Sequence, residues 1–172
     1  WLSSFDIDIN SGIVTLLFSE AVSVSSFNAS TLEFENAAAG TLFVPVINSV
    51  FLSYVSDTIT FTLSTSTLDE LKTLPLIAFS DASTFFCHDA ALVLDTSGLA
   101  TAARNTGDCL KANIFIPDTT KPYLVDFNLD MNIGELTLIF SKVVKGSSLT
   151  LNQIQLQSQA SNGGAGASTY IV

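Results

Sequence analysis

The chain has 172 residues, with 6 Lys and Arg against 16 Asp and Glu, a formal net charge of −10, and 48% hydrophobic against 13% charged residues. A chain this apolar is not intrinsically disordered, its few scattered cations cannot form a nucleic-acid footprint, and an anionic membrane surface would repel it. Ser, Thr, Asn or Asp interrupts every hydrophobic stretch before about 18 residues, which excludes a membrane-spanning helix.

From the N terminus, Phe5, Ile7 and Ile9 alternate with Asp6, Asp8 and Asn10, the period of a half-buried strand. Asn10-Ser11-Gly12 supplies a turn, and Val14, Leu16 and Phe18 form the inner face of the next strand. Further strands are predicted at 31–36, 41–47, 50–55, 58–64, 84–87, 91–94 and 111–116. One short helix is predicted near 67–74. Thr67-Leu68-Asp69-Glu70 reads as its capping box, Leu68, Leu71 and Leu74 as its apolar stripe, and Pro75 as its stop. Many short strands in one unit predict an all-β fold, an immunoglobulin-like antiparallel β-sandwich.

The pattern then repeats. Residues Leu2–Ser19 return without a gap as Leu124–Ser141, with Phe5 on Phe127 and Leu16 on Leu138. The match continues more loosely, Thr31-Leu32-Glu33-Phe34 lying against Gln153-Ile154-Gln155-Leu156. Between the copies, Pro117-Asp118-Thr119-Thr120-Lys121-Pro122 has no apolar periodicity and reads as a stiff linker. The expected organisation is a complete repeat at 1–116, a linker at 117–122, and the first part of a second repeat at 123–172. Trp1 falls on Tyr123, and Ser168–Val172 reads as a strand, so the chain is expected to be a piece of a longer array.

Residues 5–22, the helix segment Leu68-Asp69-Glu70-Leu71-Lys72, the turn Leu94-Asp95-Thr96-Ser97-Gly98 and the linker 117–122 together resemble an Ig-like tandem repeat. That family occurs in long secreted surface proteins of algae and swimming cyanobacteria and is labelled a flagellar-system-associated repeat. The resemblance implies an extracellular structural or adhesive role, with further copies of the repeat and neighbouring filament chains as partners. It implies no catalytic residues. Lys142 departs from the pattern by standing where the first copy has Glu20.

In that extracellular setting, the two cysteines, Cys87 and Cys109, are expected to form a disulfide closing a loop of about 23 residues, a constraint of about 3 kcal/mol. Asn28-Ala29-Ser30 is a candidate N-glycosylation site in a loop after the second strand. Asp118 with Asp126, Asn128 and Asp130 offers oxygens for calcium. However, alternate residues on one strand lie about 6.5–7 Å apart, so a solvated acidic face is the plainer reading. Ile13, Leu17 and Ile139 lie on the face opposite the inner residues and are candidates for an assembly contact. The lone histidine, His88, reads as a surface loop residue. Neither a nucleophile elbow nor a phosphate loop is present, and His88 has no partner for a dyad, so no enzyme and no resident cofactor are expected. The expected function is a non-catalytic structural unit of an extracellular filament or cell-surface fibre. A cell-adhesion or carbohydrate-binding module is the alternative.

Overall fold

The computed structural model describes residues 1–159 and, as a strand, 169–171; the rest of the second copy, 160–168 and 172, lies outside the described residues. Eleven strands and one helix build the first repeat. They are β1 (Leu2–Asp8), β2 (Ile13–Phe18), β3 (Val22–Ser23), β4 (Leu32–Glu35), β5 (Phe43–Pro45), β6 (Val50–Val55), β7 (Thr58–Thr62), α1 (Thr65–Thr73), β8 (Phe85–His88), β9 (Leu94–Asp95), β10 (Leu110–Lys111) and β11 (Ile114–Ile116). One sheet runs in the order β11-β1-β2-β7-β6 and the other β10-β8-β4-β5. Pairing is antiparallel except that β11 lies parallel to β1, placing Phe115 beside Ile7.

The period-two pattern places the core between these sheets. Phe5, Ile7, Val14, Leu16, Ile59 and Phe61 of the larger sheet face Leu32, Phe34, Val44 and Phe86 of the smaller, all buried. Phe86 is the aromatic hub: its ring centroid lies 4.4 Å from Phe5 and 4.2 Å from Phe34. Each such side chain contributes about 1.5–3 kcal/mol through removal from water. The expected all-β sandwich is therefore present.

Several local details differ from the sequence reading, the first being the single strand expected at 111–116, which is split into β10 in the smaller sheet and β11 in the larger. The helix starts earlier, because Ser64 and not Thr67 is its cap, the Ser64 hydroxyl accepting from Thr67 N at 3.2 Å. Thr67 is instead fully buried, and its Oγ1 accepts from Ile47 N, tying the helix to the segment after β5. His88 is not a surface loop residue. It ends β8 and is 2% exposed, with Nδ1 2.9 Å from the Asp89 carbonyl and Nε2 without a partner. Burial pulls the imidazole below its ordinary range, so the neutral ring is the favoured form.

The Cys87–Cys109 disulfide is formed, with a sequence separation of 22 residues and both half-cystines buried. It joins β8 to the turn before β10, at the edge of the smaller sheet.

The second copy folds by the same rules. β12 (Leu124–Asp130) and β13 (Glu135–Phe140) form a hairpin in the register of β1 and β2, Phe127 opposite Leu138 as Phe5 is opposite Leu16. Even the irregularity recurs, between Leu2 and Ser4 in one copy and Leu124 and Asp126 in the other. The hairpin turns use glycines at positive φ, +73° at Gly12 and +68° at Gly134, a conformation that disfavours any side chain. The 3₁₀ turns 24–26 and 29–31 reappear as 146–148 and 151–153. Strands β14 (Gln155–Gln157) and β15 (Thr169–Ile171) then pair as β4 and β5 do.

Candidate functional site: the inter-repeat junction and the outer sheet face

The linker is held from both sides. β11 delivers the chain to Pro117 beside the β1–β2 turn, and Asn10 of that turn grips it. Asn10 Nδ2 donates to the Pro117 carbonyl at 3.0 Å, and its Oδ1 accepts from Thr119 N at 2.9 Å and from Thr120 N at 3.2 Å. One amide side chain thereby holds three of the six linker positions, Pro117, Thr119 and Thr120.

Asp118 carries the contact onward. Its carboxylate lies 3.2 Å from Lys72 Nζ on α1 and 2.6 Å from Lys142 Nζ, in the loop after β13. Thr120 N donates to the same carboxylate at 3.0 Å, and Lys142 also donates to the Thr120 carbonyl. Burial raises the carboxyl pKa, but the donors from Lys142, Lys72 and Thr120 outweigh it and hold Asp118 below its usual range. The three side chains sit in a cleft of about 840 Å³ walled by Ile9, Leu71, Phe79, Phe115 and Val144. Partial burial makes such a charged triad stronger than an ion pair in open water. One carboxylate thereby links α1, the linker and the loop after β13.

The four candidate calcium ligands do not converge. Asp118 is engaged by two ammonium groups. Asp126 accepts from Phe127 N at 2.8 Å, and Asp130 from Asn132 N at 2.8 Å, while Asn128 lies on β12 opposite Thr137. In the first copy, Asp6 accepts from Asn113 Nδ2 and Ile114 N, holding β11 to β1, and Asp8 caps the turn through Asn10 N and Ser11 Oγ. Among the described residues, the group of potential metal ligands that does cluster is Glu35 with Cys87 and Cys109, whose sulfurs are bonded to each other. Glu35 is buried, accepting from Gly40 N at 2.9 Å and Thr106 Oγ1 at 2.5 Å, so it braces the loops around the disulfide.

Ile13, Leu17 and Ile139 are 38%, 40% and 41% exposed. Ile13 and Leu17 share the outer sheet face with a threonine ladder on β7, Ile13 opposite Thr62 and Leu17 opposite Thr58. The next strand, β6, is the sheet edge, and Val50, Phe51, Leu52 and Val55 along it are exposed. An apolar, unpaired edge is a natural contact surface between β-domains. Asn28 is exposed, and its Oδ1 accepts from Ser30 N at 3.2 Å and Ser30 Oγ at 2.6 Å, which leaves the sequon at an open turn.

Asn10, Lys72 and Lys142 are the junction positions to which the sequence alone assigns no role. The recurrence of Asn10 as Asn132 was a signal; so was the replacement of Glu20 by Lys142, since a cation there suits the acidic linker. Among the described residues no helix is long and apolar enough to cross a membrane. Comparison with family models, with curated proteins and with solved structures finds no match to this chain.

Proposed function

We propose that this chain is a structural repeat unit of an extracellular filament or cell-surface fibre, a flagellar hair or similar appendage, and acts mechanically rather than catalytically. The observation that carries the reading is the junction: Asn10, Lys72 and Lys142 close on a six-residue linker and fix one repeat against the next. A linker gripped at successive positions transmits force and direction, as stacked repeats require. The disulfide supports an oxidising, extracellular setting, and the exposed edge β6 with Ile13 and Leu17 supports lateral contact between neighbouring chains. The exposed Asn28 turn fits N-linked glycan attachment.

The test is immunogold labelling of native cell surfaces with antibody raised against residues 1–116. Gold rows along filaments, with an axial period of one repeat, are the expected result. Labelling confined to the cytoplasm, or strong binding in a glycan array without filaments, would defeat the proposal.

A further inference from the structure

The surroundings of the disulfide hold more than a cross-link needs. Both sulfurs and a Glu35 carboxylate oxygen lie within 4.8 Å of one another, and all three residues are buried. Glu35 Oε1 stands 3.1 Å from Cys87 Sγ. The carboxylate is already aimed, because Thr106 Oγ1 donates to Oε1 and Gly40 N donates to Oε2. That approach needs a glycine, since a Cβ on Gly40 would stand 2.9 Å from Oε2. Among the described residues no Lys or Arg pairs with Glu35, the ion pairs there using Asp81, Asp108 and Asp118. An ionised carboxylate buried without a cation is costly, and a bound cation offsets that cost. A cavity of about 160 Å³ leads to the same place. Glu33, opposite Cys87 in the β4–β8 register, lines it together with Cys87, Asp89, Arg104 and Asn105.

We infer that in its thiol form, which every chain has before its cysteines are oxidised, the first repeat binds one thiophilic divalent cation such as zinc through Cys87, Cys109 and Glu35. Two sulfurs and one carboxylate oxygen suit zinc, whereas calcium and magnesium take oxygen donors. The step balances: a divalent ion, two thiols and one carboxylate give the bound site and two released protons. Two Zn–S bonds of about 2.3 Å at the tetrahedral angle set the sulfurs about 3.8 Å apart, so they part from bonding distance. Thr106 and Gly40 orient the ligating carboxylate from outside. The Asn105 carbonyl, 3.6 Å from Cys109 Sγ, is at hand for the fourth position. The ion then joins β8 to the turn before β10, the two places that the disulfide joins. One staple serves before oxidation and the other after it. This site does not rest on the filament reading.

The probe is cobalt(II), added to the intact chain after reduction by a phosphine, which leaves as its oxide with oxygen from water. A thiolate-to-cobalt charge-transfer band should grow to saturation at one ion per chain, and zinc should erase it. The oxidised chain should give no band, and Cys109→Ser should abolish it. Glu35→Gln should weaken binding at least about tenfold. Thermal melting of the oxidised variant checks that it folds. If it does not, Thr106→Ala, which removes one donor to the carboxylate, is read instead and should weaken binding too. Where the metal-free thiol chain loses the dispersed amide signals of β4 and β8, zinc should restore them. The inference is overturned by the lack of a saturable band, an equal band in the oxidised chain, unrestored signals, or unchanged affinity in the variant.

Discussion

Phe5 and Phe127 stand at the same point of the same hairpin, opposite Leu16 and Leu138 respectively. One is fully buried and the other half exposed. The local sequence is thus enough to set strand, turn, bulge and register in both copies. What differs is the company. Phe86 packs tilted against Phe5 and stacks on Phe34, β7 and β11 flank the hairpin, and Leu68 approaches Gly12, whereas among the described residues nothing lies within 4 Å of a Cβ placed at the equivalent Gly134. Hairpin geometry is local information, and burial is supplied by segments far along the chain.

The sharpest way to break this comparison is to truncate the paired phenylalanines. Phe5→Ala should cost about 3–5 kcal/mol in denaturant unfolding of the first repeat, the range for a buried aromatic. Phe127→Ala should cost less than about 1 kcal/mol. Equal losses would mean that the second copy is as well packed as the first.

Next in size is the Cys87–Cys109 disulfide of the first repeat. Reduction should cost the first repeat about 2–4 kcal/mol, seen as a lower midpoint in thermal melts monitored by near-ultraviolet circular dichroism. Amide shifts of β12 and β13 should not move. A smaller effect is expected at the turn glycines. Gly12→Ala and Gly134→Ala both force a side chain to positive φ, at about 1 kcal/mol. Gly12 carries an extra penalty because a Cβ there would stand 3.2 Å from Leu68 Cδ2. Gly12→Ala should therefore be the more damaging of the two by differential unfolding, and the reverse order would contradict the contrast in packing.

The smallest effect on stability, though a clear one on shape, is expected at the junction. Asp118→Asn should leave the melting of the first repeat nearly unchanged but broaden the inter-repeat distance distribution measured between paired labels. The pH dependence follows from the depressed carboxyl pKa of Asp118. The closed junction favours the ionised form, so its contribution is present above the ordinary Asp range, near about 3.9, and is lost as pH falls through the lower folded value. The wild-type distribution should stay narrow from neutral pH down to that range and widen only below it. Widening between pH 7 and 5 would rule out Asp118 as the fastener.

Much of this was legible in the chain. Alternation placed β1, β2 and their copies, and the cysteine pair gave the disulfide, because each signal is carried by neighbouring or unique residues. The helix start was misplaced by three residues. Ser64 and Thr67 are equally good caps in composition, and only the contact of Thr67 with Ile47 decides between them. The burial of His88 was hidden because three successive residues of β8, Phe86 to His88, are all buried, which defeats a two-residue period. The roles of Asn10, Lys72 and Lys142 were hidden for a further reason. They meet only through the linker, at sequence distances that no local pattern encodes.

The most direct test of the central claim, one hairpin design buried in the first repeat and half exposed in the second, is residue-resolved hydrogen exchange on the intact chain. The account predicts that the cross-strand amides of β1 and β2 exchange only by global opening, while those of β12 and β13 exchange orders of magnitude faster. Equal protection of the two hairpins in the isolated chain would contradict it.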